Sequence, residues 1–66
     1  MRSYANAIYR FAIESNGLKY RDVAEKIGIT GTSLAIWMRE EMNPVRKMRV
    51  EKAINELLEE KGKENG

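Results

Sequence analysis

The chain has 66 residues, with 12 Lys/Arg against 10 Asp/Glu for a formal charge of +2, and neither histidine nor cysteine. That length suits one domain, which buries only roughly 60% of its unfolded surface. The composition excludes disulfides, thiolate metal sites and the commonest general base, so apolar packing must hold the fold and neither an enzyme nor a cofactor is expected.

No run of about 18 apolar residues is present, and the N-terminal stretch lacks the apolar length of a signal peptide, so a cytoplasmic location is expected. Charge is unevenly spread. Residues 1–50 hold nine Lys/Arg and five Asp/Glu, whereas residues 51–66 hold three and five. A basic body with an acidic C-terminal end is compatible with nucleic acid on one side only.

Four or five helices and no strand are read along the chain. The first covers residues 4–15, with Ser3 as its cap and Tyr4, Ile8, Phe11 and Ala12 as its inward face. Asn16-Gly17 ends it, because glycine accepts the left-handed conformation that closes a helix, and Leu18 folds back on the last turn. The second helix covers residues 20–26 and buries Val23, Ala24 and Ile27 before Gly28 breaks it. Thr30 caps the third, which runs to Arg39 with Leu34, Trp37 and Met38 inward. Trp37 is read as core, and Met42, in the following loop, as exposed at an interface. Asn43-Pro44 then caps and opens the last helix, since proline's missing N–H is not needed in a first turn. This helix runs to about Glu60, with a break near Arg49, and carries a stripe of Val50, Ala53, Ile54, Leu57 and Leu58. A single domain over residues 1–60, followed by a flexible polar tail at 61–66, is expected.

The informative stretch is Tyr20 to Arg39. Two short helices joined by a three- or four-residue turn need a small side chain where they approach, and Ala24 supplies it. The turn opens at positive φ, which Gly28 adopts without strain. Val23, Ile27, Ile29, Leu34 and Trp37 set the crossing by packing inward. In these seven positions the segment resembles the helix-turn-helix of lambda-repressor-like and Cro-like regulators, and the likeness extends over roughly residues 4–58. It implies an all-α, compact four- to five-helix domain that binds double-stranded DNA, with the second motif helix in the major groove.

The resemblance places Thr30, Gly31, Thr32, Ser33 and Ile36 toward base edges, with Ile36 suited to a thymine methyl. It places Lys19, Tyr20, Arg21, Arg39, Arg46, Lys47 and Arg49 toward phosphates, and Arg2 as a short arm. The chain departs from the family where phage repressors often carry glutamine, here Tyr20 and Gly31, so its groove face is poor in long polar side chains. A transcriptional repressor of phage or mobile-element type, acting by operator occupancy, is the function implied. A homodimer through the C-terminal helix would set two such helices about 34 Å apart. The other reading is a protein-interaction module or antirepressor on the same fold.

Overall fold

Glycine ends the first two helices, and the way it does so sets the path of the chain. In the computed structural model the backbone is described for residues 6–65 and the side chains for residues 6–62. The order is α1 (Ala7–Ser15), α2 (Tyr20–Ile27), α3 (Gly31–Arg39) and α4 (Pro44–Asn65), so the described chain is all-helical. Gly17 and Gly28 stand at φ 69° and 95°, the left-handed region. After each, an apolar residue folds back: the Leu18 amide donates to the Ile13 carbonyl at 2.9 Å, and the Ile29 amide to the Ala24 carbonyl at 3.0 Å. The paired bonds from Gly17 to Glu14 and from Gly28 to Glu25 complete the same helix-ending motif twice.

The other caps are side chains. Thr30 accepts from the Ser33 amide at 3.0 Å at the start of α3, and Asn43 Oδ1 accepts from the Arg46 amide at 2.8 Å at the start of α4. Both are the caps the sequence predicts. α3 ends without a glycine: Glu40 is extended, at φ −126° and ψ 166°. Its final carbonyls are satisfied from α1 instead. Asn6 Nδ2 donates to the Met38 carbonyl at 2.8 Å and to the Glu40 carbonyl at 2.7 Å, and Arg10 adds a bond to Met38 at 3.1 Å.

The core comprises Ile13, Val23, Ala24, Leu34, Met38, Met42, Val50, Ala53 and Ile54. α4 packs along α2 and, to a smaller extent, along α1. Its 22 residues span about 33 Å at 1.5 Å per residue, most of the 41 Å length of the body. Lys61 Nζ ties its far end to the Asn16 carbonyl at 2.7 Å, and Lys26 pairs with Glu60.

The structure corrects several expectations. α1 is rotated: Ile13 is inward with Tyr9 and Ala12 beside it, while Ile8 and Phe11 are 79% and 72% exposed. Asn6, Arg10 and Ile13 lie at i, i+4 and i+7, one helical face. The side-chain bonds from Asn6 and Arg10 to the end of α3 require that face inward. Leu34 and Met38 are buried as expected, whereas Trp37, read as core, is half-buried at the edge of it. Met42 is buried, not exposed, and joins the core that also contains Met38 and Val50. The last helix has no break at Arg49 and continues past Glu60 to Asn65. Its apolar stripe packs within the chain, with Val50, Ala53 and Ile54 buried and Leu57 and Leu58 half-buried. Arg2, Ser3 and Tyr4 lie outside the described residues. No helix among the described residues is long and apolar enough to cross a membrane.

Asn6→Ala removes the bond to the Glu40 carbonyl and leaves the Met38 carbonyl with Arg10 as its side-chain donor, and should cost about 2 kcal/mol. Gly28→Ala forces a Cβ into left-handed backbone and should cost about 1–2 kcal/mol, although the space around it is open. Urea unfolding of each variant checks both values.

Candidate nucleic-acid interface

α3 packs on one side only. At 100° per residue, Leu34 and Met38 point into the core, Thr32, Ile36 and Arg39 turn away from it, and Gly31 and Ala35 are exposed along the edge next to Met38. Ile36 is 56% exposed. Three of the five residues expected to face bases behave as a set apart from the other two. Gly31, Thr32 and Ile36 stand open. Thr30 and Ser33 are engaged with each other, since the Thr30 hydroxyl caps the Ser33 amide and donates to Ser33 Oγ at 3.1 Å. Their first task is to start the helix.

Cations flank this face on both sides. On one side α1 and the start of α2 form a groove of about 240 Å³ with α3, lined by Arg10, Tyr20, Gly31, Ala35 and Met38. On the other, the Arg46 guanidinium lies over the Trp37 ring, 4.8 Å from its centroid. Such stacking fixes a charge beside an aromatic plane without burying it. Arg39 lies at the C-terminal end of the face. Lys19 and Arg21 are exposed at the start of α2.

The expected cluster at residues 46–49 is divided. Lys47 and Arg49 are two residues apart, about 200° around the helix. Lys47 pairs with Glu41. Arg49 turns toward α2, where Lys26, Ile27, Lys52, Ala53 and Glu56 form a shallow pocket with it. Arg46 alone of the three reaches α3. Tyr20 is half-buried, and its hydroxyl donates to Glu14 Oε2 at 2.7 Å, toward α1. Arg10 is the residue the sequence reading missed. It lies ten residues before the Tyr20–Arg39 stretch, and only the fold brings it to α3. The sole hint in the sequence is that nothing near residue 40 could end α3.

At the remote end of the α2–α4 seam, Asp22, Glu25, Glu60 and Lys26 line a polar pocket with Leu57. Comparisons with models of known protein families, with curated proteins and with solved structures find no match to this chain.

Three groups hold their protons more firmly than usual. Partial burial raises Tyr20 first, and its bond to Glu14 adds to the effect. The hydrogen bond to Glu60 raises Lys26, and that to Glu41 raises Lys47. For all three the unfolded chain loses the proton first as pH rises. Their contribution to stability is therefore full below the ordinary values of 10.0 for tyrosine and 10.5 for lysine, and declines above them. The urea midpoint should hold level to about pH 9.5 and fall beyond about pH 10. A midpoint that stays level through pH 11 would show these contacts to be without weight.

Proposed function

We propose that the chain is a DNA-binding transcriptional regulator of the lambda-repressor-like, helix-turn-helix kind, with α2, the Gly28–Thr30 turn and α3 as the motif. One observation carries this reading: α3 leaves the small residues Gly31, Thr32 and Ala35, and Ile36, exposed between Arg10 on one flank and Arg46 on the other. A major groove about 12 Å wide accepts one helix and brings a phosphate backbone along each side of it. Small residues on the leading face let the helix sit deep, and paired flanking cations meet the two backbones.

The division of labour follows. Thr32 and Ile36 meet base edges, the hydroxyl by hydrogen bonding and the isoleucine by contact with a thymine methyl. Arg39, Arg46, Lys19 and Arg21 meet phosphates, which position the protein but carry no sequence. Thr30 and Ser33 hold the N-terminus of α3, and Lys47 and Arg49 contribute through the general field. The regulator acts by occupying its operator, in the cytoplasm, with no catalytic step.

Selection of bound duplexes from a random pool at moderate salt tests the reading. Enrichment of a common sequence is expected. Half-sites about 10 base pairs apart would identify a dimer on the DNA, and a single short site a monomer. Ile36→Ala should then relax the preference at one position and weaken binding to the selected site by about 1 kcal/mol. If no duplex is retained at low salt, the DNA reading fails and the open face of α3 belongs to a protein partner.

A further inference from the structure

We propose that the groove between α1 and α3, lined by Arg10, Tyr20, Gly31, Ala35 and Met38, seats one backbone phosphate of double-stranded DNA, gripped by the Arg10 guanidinium. The inference rests on the DNA-binding reading above and adds to it a site on α1, outside the motif.

The groove has room for a ligand and a reason to stay open. Its α3 wall is Gly31, Ala35 and Met38, and a Cβ built at Gly31 meets nothing within 4 Å. Gly31 and Ala35 are exposed and border the outward side of α3 that carries Thr32 and Ile36, so a group in the groove lies beside whatever that side touches.

Arg10 is positioned and charged without being neutralised. One Nη2 donates to the Met38 carbonyl at 3.1 Å, which holds the guanidinium at the rim. A guanidinium has five N–H donors in a planar fork; Arg10 directs some at the Met38 carbonyl and the Tyr20 hydroxyl, and others remain for a further acceptor. Glu14, four residues on along α1, is the natural ion-pair partner at that spacing. It is occupied elsewhere: Tyr20 donates its hydroxyl to Glu14 Oε2 at 2.7 Å, and Arg10 makes no ion pair among the described residues. The tyrosine thus holds the carboxylate to itself and leaves the arginine's charge at the groove uncompensated. A planar donor fork beside an open notch matches two oxygens of a phosphodiester. Arg46 over Trp37 provides the corresponding charge on the far flank of α3, as two backbones running along one groove require.

The test is the salt dependence of affinity for a duplex that the native chain binds, measured by fluorescence anisotropy for native protein, Arg10→Gln, Arg10→Lys and Glu14→Gln. Loss of one phosphate contact reduces the slope of log K against log salt by about 0.9. Arg10→Gln should show that reduction with its base preference unchanged, and Arg10→Lys should keep the native slope. Glu14→Gln removes a negative charge from the groove wall, still accepts from Tyr20, and should bind more tightly. If Arg10→Gln binds with the native slope, Arg10 serves only to close the end of α3 and the proposal is overturned. Should Arg10→Gln fail to fold, unchanged affinity in Glu14→Gln overturns it equally. Absence of salt-dependent binding by the native chain is a separate result, because it removes the DNA reading itself.

Discussion

A helix that ends in extended backbone leaves its last carbonyls without partners, and α3 is such a helix. Water would satisfy them if the end were exposed, but the Met38 carbonyl lies in the interior against α1. Asn6 and Arg10 supply the missing donors across 28 to 34 residues of sequence. This polar tie fixes which face of α1 turns inward and so places Ile13 in the core. It leaves Ile8 and Phe11 in water and carries Arg10 to the flank of α3. Burial of apolar surface drives the collapse without direction. The directional bonds select one packing of α1 from those that collapse alone would permit.

The parts of this fold that were legible in the sequence are those whose physics is local. Gly17 and Gly28 end helices because left-handed backbone favours glycine, and the apolar residue after each folds back on the turn before it. Thr30 and Asn43-Pro44 start helices with bonds no longer than three residues. The rotation of α1 was illegible because two stripes, one through Ile8 and Phe11 and one through Tyr9 and Ile13, both satisfy helical spacing. Only a contact with residues 38–40 separates them. Trp37 and Met38 differ for a related reason: adjacent positions share the edge of the buried face, and the ring takes the rim, where Arg46 covers it.

The same distinction holds for the candidate site. Thr32 and Ile36 could be assigned to the open face of α3 because Leu34 and Met38 set its phase. The cations at 46, 47 and 49 form a cluster in sequence and three separate environments in space, since a helix distributes neighbours around its axis. Arg10 is the converse case, distant in sequence and adjacent in space. In a chain of this size the surface beside one helix is built from every other helix, and a motif read from twenty residues omits the flank contributed by the rest.

Trp37 is the only tryptophan in the chain, and it stands half-buried at the junction of α3 with the first turn of α4, beneath a guanidinium. An indole in that position changes its emission when water reaches its buried edge and again when the cation leaves its face. The first event is the separation of α4 from α3 on unfolding. The second is any docking that draws Arg46 toward another anion. The chain thus carries its one indole at the place where its stability and its proposed contacts meet, so both are open to optical measurement on the unlabelled protein.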